Sequence, residues 1–168
     1  GRPEATQVRI GALSLLGNGL SAVEHHEDAL VAYEAYFSMI RSIGAPEQAI
    51  LTVQSCLANT YAALGRLEKA LNMERHVYSG RLKLHGEEHV ETIIVASNYS
   101  STLARLERFA EAKSVMRKTI PVARRVLGVG GRLTLKMRWI YAEALYMDAG
   151  ATLDDVREAV MTLEDTER

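Results

Sequence analysis

The stretch LANTYAALGRLEKA, residues 57–70, contains the end of one helical pattern and the start of the next. Apolar residues on both sides of Gly65 recur at spacings of three and four, the pattern of a helix with one buried stripe. Gly65 readily adopts the positive φ angle at which helices commonly end. The stretch therefore predicts two consecutive helices joined by a tight turn.

This arrangement repeats along the chain. Gly44, Gly86 and Gly128 are spaced by 42 residues, each closes a basic, apolar segment, and Thr92 and Thr134 keep the same spacing. A fixed period of this length is typical of stacked helix pairs. We predict helix pairs at 4–20 and 25–43, at 46–64 and 67–85, at 89–106 and 109–127, and at 132–148 and 153–167.

Individual residues mark several helix ends. Gly65 and Gly150 are expected to have positive φ angles, each after the first helix of a pair. Thr152, with Asp155 three residues later, resembles an N-cap followed by an acidic first turn. Pro121 lies inside the sixth predicted helix, where it should kink the helix or remove one backbone hydrogen bond.

The composition indicates the class of protein. Of the 168 residues, 48% are hydrophobic and only 3 are proline, which favours an all-α protein with a real core. The net charge of −1 offers no field that would hold a nucleic acid or an anionic membrane, and no apolar run approaches a membrane span. Cys56 is the single cysteine, which excludes an internal disulfide. Because the sequence also shows no export signal, we expect a reducing compartment, the cytoplasm or the nucleus, and favour the cytoplasm.

One string of residues raises the question of a metalloenzyme. KLHGEEHVET, residues 83–92, contains His85, Glu88 and His89 at the His-x-x-Glu-His spacing of some zinc peptidases. That chemistry needs both histidines on one face of a continuous helix, but Gly86 between them marks a helix end. The equivalent turn one period later, residues 127–131, contains neither ligand nor base. We therefore predict a turn between repeats and no metal site.

No other set of residues points to catalysis. His25 and His26 are adjacent, so they point about 100° apart on a helix and fit a solvated helix start. Cys56 falls on the apolar side of the third helix, as a small core residue does. No strand followed by a glycine-rich phosphate loop is present. The sequence thus predicts a protein that is not an enzyme and has no cofactor.

At these residues the sequence resembles a known family. The unit Leu57-Ala58-x-x-Tyr61-x-x-x-Gly65-x-Leu67-x-x-Ala70 resembles the tetratricopeptide signature. The 42-residue period, with its long second helix, resembles the kinesin light chain subgroup. KTIPVARRVLG, residues 118–128, is the strongest local match, to kinesin-light-chain-like repeat proteins. The resemblance covers nearly the whole chain.

The resemblance implies a right-handed superhelical solenoid of about four helix pairs. It implies a single array over residues 1–168, with repeats of approximately 1–44, 45–87, 88–130 and 131–168. In this family the first helix of each pair lines a concave groove. Carrying the groove positions over gives the partner-binding residues Asn18, Thr52, Ser55, Asn59, Ile94, Ser97, Asn98, Ser101, Arg105 and Met137, with Ser14, Ala62, Ile140, Ala144 and Asp148 at further groove positions.

These positions are mostly small and polar, which leaves room for a peptide whose backbone bonds to the asparagine amides. The resemblance thus implies a non-catalytic scaffold that binds a protein or an extended peptide. A structural subunit, with its surfaces covered by fixed neighbours in a larger assembly, is the alternative. Asn18 and Asn59 could also be exposed helix residues without a ligand.

One known variant of such a groove is not expected. Grooves that grip a C-terminal carboxylate use two Asn with flanking Lys and Arg, because a carboxylate needs charge-assisted donors. The corresponding positions in this chain are Ser14, Ile94 and Asn98 in one register, or Ser55, Met137 and Tyr141 in the other.

The last predicted helix leaves an apolar surface. The stripe Leu153, Val156, Val160 and Leu163 is predicted to pack on Trp139, Leu145 and Tyr146. Ala159 and Met161 should then lie partly uncovered. Repeat arrays usually end with a polar outer face, whereas this sequence stops at Thr166-Glu167-Arg168. We therefore expect a fragment of a longer array, or self-association or a partner contact through the C-terminal end.

Overall fold

The computed structural model describes residues 2–164, with the side chains of residues 4–164. Throughout those residues the regular secondary structure is helical. The helices are α1 Arg2–Ala22, α2 His26–Ser42, α3 Glu47–Ala63, α4 Leu67–His85, α5 Val90–Arg105, α6 Phe109–Leu127, α7 Arg132–Tyr146 and α8 Leu153–Glu164. The predicted all-α fold is confirmed, and the predicted helix ends within the described residues differ from these bounds by two residues at most.

Two compact units divide the chain, residues 1–77 and residues 78–168. In the first unit, α2 contacts both α1 and α3. The buried core between these helices contains Leu30 and Tyr33 from α2 and Val53 and Leu57 from α3. Val53 and Leu57 are four residues apart, so one apolar stripe of α3 faces this core.

At Gly17, α1 packs against the ring of Tyr33. A Cβ atom on Gly17 would lie 2.6 Å from Tyr33 Cε1 and 2.7 Å from Tyr33 Cδ1. The Tyr33 side chain is buried, and its hydroxyl donates to Asn18 Oδ1 at 2.8 Å. Burial raises the pKa of Tyr33 to about 12, so the phenol stays protonated and keeps donating this bond. A glycine is therefore needed where the backbone of α1 meets a ring that is fixed in place.

In the second unit, α7 contacts α5, α6 and α8. The apolar core among these helices contains Ile93 from α5, Met116 from α6, and Met137, Ile140 and Leu145 from α7, all buried. The buried residues of α7 recur at spacings of three and four. The pair α5–α6 thus depends on α7 to cover its apolar surface, as expected for stacked helix pairs.

The turn between the two helices of a pair recurs along the chain, with a different residue at its positive-φ position. Gly65 has a φ of +72°, as predicted, and Glu107, which follows 42 residues later, has a φ of +58°. A side chain in this left-handed region costs about 1 kcal/mol. The repeated turn therefore holds Glu107 in a conformation that suits glycine. The corresponding prediction for Gly150 is wrong, because its φ is not positive.

The start of α8 has the predicted cap. The Thr152 backbone N–H donates to Asp155 Oδ2 at 2.9 Å, and the Asp155 backbone N–H donates to Thr152 Oγ1 at 3.2 Å. This reciprocal pair satisfies two backbone donors at the helix start. Pro121 lies inside α6, as predicted, and the helix continues past it to Leu127.

The face of α8 that packs inward differs from the predicted one. Ala159 is buried and Leu163 packs against the core, whereas Val156 and Val160 are exposed. Ala159 and Val160 are adjacent, so they point about 100° apart and cannot both face the core. The expectation that Ala159 would be partly uncovered is therefore wrong, while Met161 is exposed as expected. Residues 166–168 lie outside the described residues.

We expect Gly17→Ala to destabilise the protein, although alanine is the better helix former. At an open helix position this change stabilises by about 0.5–1 kcal/mol. At Gly17 the added methyl group would overlap the Tyr33 ring, and overpacking of this kind costs about 1–3 kcal/mol. Urea unfolding followed by circular dichroism measures the sign of the change.

Gly19→Ala in the same helix is the matched control, because a Cβ atom there meets nothing within 4 Å. This variant should be as stable as the wild type or more so. If Gly17→Ala is stabilising to the same extent, Tyr33 does not restrict Gly17.

Candidate functional site

One face of α5 presents four of the predicted residues together. Ile94, Asn98, Ser101 and Arg105 are spaced by four, three and four residues, which places them on one side of the helix. Ile94 and Arg105 are exposed, and Asn98 and Ser101 are half-buried. Lys136 of α7 donates through Nζ to Asn98 Oδ1 at 3.5 Å. We call these five residues the α5 face; it combines apolar, amide, hydroxyl and cationic groups.

A shorter set lies on α3 in the first unit. Asn59 and Thr52 are exposed, and Ser55 between them is half-buried. The hydroxyl of Thr52 donates to a backbone carbonyl one turn earlier, at 2.9 Å. Asn18 of α1 is exposed too, but its Oδ1 accepts the bond from Tyr33. Thr52 and Asn18 thus each use a side-chain oxygen in a bond within the protein.

Two of the predicted residues belong to the core instead. Ser97 and Met137 are fully buried, so neither can touch a ligand unless the helices move apart. For Met137 of α7, the reason is that the predicted groove position is shifted by one residue from the 42-residue period. The residue 42 positions after Ile94 is Lys136, and its neighbour Met137 points about 100° away from it, into the core. Ile140 and Ala144, the two other residues of α7 that the resemblance places in the groove, are buried as well.

Asp148, the last groove position carried over, is bonded within the protein. Its Oδ2 accepts from Lys113 Nζ at 2.8 Å and its Oδ1 accepts from the Gly150 backbone N–H at 3.2 Å. The bond from Lys113, and after it the bond from Gly150, hold the pKa of Asp148 below its ordinary value. Asp148 therefore fixes the turn between α7 and α8 to α6.

The residues that raised the question of catalysis have other roles. Burial raises the pKa of the Cys56 thiol, which favours its unreactive protonated form. His85 ends α4, and its ring stacks on that of His89 with 4.4 Å between the centroids. His89 is the N-cap of α5, and its Nδ1 accepts from the Glu91 backbone N–H at 3.3 Å. Because Gly86 has a φ of +81°, the two histidines do not share a continuous helix.

Within residues 2–164, no three His, Cys, Asp or Glu side chains are grouped so that they could hold a metal ion. None of the helices described above has the length and apolar character that crossing a membrane requires.

Positive charge is concentrated in one stretch of the sequence. Residues 108–138 contain nine of the 20 Lys and Arg residues but only one of the 21 Asp and Glu residues. Carboxylates outside the stretch pair with three of the cations: Asp148 with Lys113, Glu158 with Arg117, and Glu88 with Arg125. The net charge of the whole chain conceals this feature, because acidic residues elsewhere cancel it. The surroundings of α6 are therefore more cationic than the composition indicates.

Comparisons with known proteins agree with this architecture. The family model of the tetratricopeptide repeat matches residues 49–125. Residues 49–125 therefore carry the tetratricopeptide repeat pattern. The resemblance predicted from residues 57–70 is thus confirmed. No curated protein matches the sequence.

Several solved structures share the fold. BtubC (BKLC) from P. vanneervenii has a TM-score of 0.76 and 15% identity, over 95% of this chain and 64% of that chain. Two crystal structures of "Podosopora anserina putative kinesin light chain nearly identical TPR-like repeats" have TM-scores of 0.77 and 0.75 and 18% identity, over 94% of this chain and 73% of those chains. The chain thus spans less than two thirds of the length of BtubC. At these identities the likeness shows the fold alone, and it is the fold of the kinesin-light-chain-like repeats that the 42-residue period predicted.

We expect Asp148→Asn to lower stability in a pH-dependent way. The pKa of Asp148 in the folded protein is below its unfolded value, so the carboxylate stabilises the fold above that unfolded value. This contribution disappears as the pH falls through the folded pKa. Thermal unfolding should show the variant less stable than the wild type at neutral pH, and this difference should shrink as the pH is lowered through the acidic range.

The control is Asp154→Asn, because Asp154 is exposed and pairs with Arg157 one turn away on the same helix. It should change the melting temperature little, since exposed pairs of this kind contribute little. A deficit in Asp148→Asn that stays constant down to acidic pH would contradict the role of the carboxylate.

Proposed function

We propose that this protein is a non-catalytic scaffold that binds an extended peptide, or an extended segment of a protein, across the first helices of its repeats. The observation that carries the proposal is the α5 face, where Asn98 and Ser101 lie between an apolar residue and two cations. Tetratricopeptide repeats generally mediate contacts between proteins, which supports the proposal. The single cysteine suits a cytoplasmic location, which we propose as well.

The chemistry of an extended peptide matches these side chains. Its backbone N–H and C=O groups need partners when they leave water. An asparagine amide supplies both a donor and an acceptor, so Asn59 and Asn98 can each satisfy a backbone group in either direction. Arg105 and Lys136 favour a ligand with negative charge near Asn98, and Ile94 offers an apolar contact.

Selected peptides provide the test. Peptides are chosen from a random display library with the wild-type protein, and their affinities are measured by fluorescence anisotropy. Asn59→Ala and Asn98→Ala should each weaken binding about fivefold, because a lost hydrogen bond costs about 1 kcal/mol. The melting temperature should change little, since Asn59 is exposed and Asn98 is only half-buried.

Asn72→Ala is the matched control, because Asn72 is an exposed asparagine on α4, a second helix of a pair. Its affinity for the selected peptides should equal that of the wild type. If binding survives both substitutions on the first helices and fails in Asn72→Ala, the ligand lies on the second helices and the proposal is wrong.

A second candidate function is that of a structural subunit whose surfaces are covered by fixed neighbours. The observation that favours it is the apolar surface of α7 and α8, where Trp139 and Val160 are exposed. A single partner of fixed stoichiometry in pull-downs, in place of exchangeable peptides, would support this function over the first.

A further inference from the structure

A recess of about 250 Å³ lies between the end of α4, the start of α5 and the middle of α6. All of its lining residues fall within residues 78–122, so it belongs to the second unit alone. Tyr78, Val115 and Val122 give it apolar walls. The ring of Tyr78 stacks on that of Tyr99, with 6.1 Å between the centroids, which holds this wall in place. Pockets for drug-sized ligands usually measure about 300–1,000 Å³, so the recess suits a smaller molecule.

The recess is lined by a threonine whose hydroxyl has no hydrogen-bond partner among the residues that the structure describes. Thr92 is 2% exposed, and its Oγ1 is the buried atom without a partner. Thr134, which occupies the same repeat position 42 residues later, is buried too, but its Oγ1 donates to the Ala123 backbone carbonyl at 3.4 Å. A buried hydroxyl without a partner is costly. Thr92 therefore offers a donor and an acceptor to a molecule that fills the recess.

Two opposite charges also line the recess, and they come from different elements. Lys118 belongs to α6, and Glu87 lies in the turn between α4 and α5. Both side chains are exposed, and within residues 4–164 neither forms an ion pair. The next carboxylate along the chain differs, because Glu88 pairs with Arg125. A ligand in the recess thus meets a cation and an anion that are not neutralised within the described residues.

We propose that the recess binds a free α-amino acid with an apolar side chain, such as phenylalanine or leucine. The side chain of the ligand contacts the apolar walls, its carboxylate accepts from Lys118 and from the Thr92 hydroxyl, and its ammonium group pairs with Glu87. A purely apolar ligand would leave the Thr92 hydroxyl without a partner. A ligand with a single charge would meet a like charge at Lys118 or Glu87, whereas an amino acid carries both charges on one carbon atom.

Isothermal titration calorimetry of the whole chain with L-phenylalanine tests the site. We expect saturable binding of one molecule per chain. Phenylpropanoate lacks the ammonium group and phenethylamine lacks the carboxylate, so each should bind about tenfold more weakly than phenylalanine. The absence of saturable binding at millimolar phenylalanine, or equal affinities for the three compounds, would overturn the proposal.

Lys118→Met and Glu87→Gln test the two charges. Both residues are exposed, so the variants should fold, which circular dichroism checks. Lys118→Met should lose the preference for phenylalanine over phenethylamine, and Glu87→Gln the preference over phenylpropanoate. In each case the group that the weaker ligand lacks has also lost its partner on the protein. If both variants keep the preferences of the wild type, the charged groups of the ligand lie elsewhere and the proposal is wrong.

Lys83→Met is the matched control for Lys118→Met, because Lys83 is an exposed lysine of α4 that does not line the recess. It should bind phenylalanine with the affinity of the wild type.

Thr92→Val tests the buried hydroxyl, because valine keeps the shape of threonine and removes the polar group. Without ligand this variant should melt at a higher temperature than the wild type, yet it should bind phenylalanine about fivefold more weakly. Thr92→Ser keeps the hydroxyl and should bind more tightly than Thr92→Val. Unchanged binding in Thr92→Val would show that the hydroxyl does not contact the ligand, and it would contradict the proposal.

Asn98→Ala separates this site from the α5 face. Thr92 and Ile94 are two residues apart on α5, so they point to nearly opposite sides of the helix. Asn98 does not line the recess, and Asn98→Ala should therefore bind phenylalanine like the wild type. A loss of phenylalanine binding in Asn98→Ala that Lys118→Met does not share would place the amino acid on the α5 face and overturn the proposal. The affinities of the selected peptides remain an independent test of the proposed scaffold.

Discussion

A pair of helices with one apolar stripe each cannot bury both stripes alone, and this constraint determines what each helix of the repeat can offer. In the second unit the constraint is met by α7, which places Met137 and Ile140 against the preceding pair. Each such side chain contributes about 1.5–3 kcal/mol when it is fully buried. These sides of α5 and α7 pack in the core. Asn98, Ser101 and Lys136 of the α5 face therefore project from the remaining sides of the two helices.

Helix positions could be predicted from the sequence because their causes are local. Apolar spacing and glycine at the ends act within one or two turns, so the predicted bounds of α4 and α6 equal the observed ones. The turn at Glu107 could not be predicted from its residue type, since glutamate disfavours positive φ. The positive φ of Glu107 follows instead from the 42-residue period, because Glu107 occupies the repeat position that Gly65 occupies one repeat earlier. For Gly150 the residue type suggests a positive φ that the structure does not have. The longer turn before α8 is held by side-chain hydrogen bonds and needs no positive φ at this position.

The candidate site was less predictable, because exposure depends on which neighbour covers each side of a helix. A shift of one residue turns a side chain by about 100°, which is enough to exchange Lys136 for the buried Met137. Strict use of the 42-residue period from Ile94, Asn98, Ser101 and Arg105 selects Lys136, Ile140, Glu143 and Met147, of which Ile140 is buried and the other three are at least partly exposed. Apolar spacing alone also predicts Trp139 to be covered, and its exposure became evident only when the packing of α8 was known.

Hydrogen exchange in Met116→Ala tests most directly whether α5, α6 and α7 form one interdependent core. Met116 is buried on α6 within the core of the second unit, and its truncation should cost about 2–5 kcal/mol. We predict that amide exchange accelerates together in all three helices, because each covers part of the apolar surface of the others. Faster exchange confined to α6, with α5 and α7 as protected as in the wild type, would contradict the account.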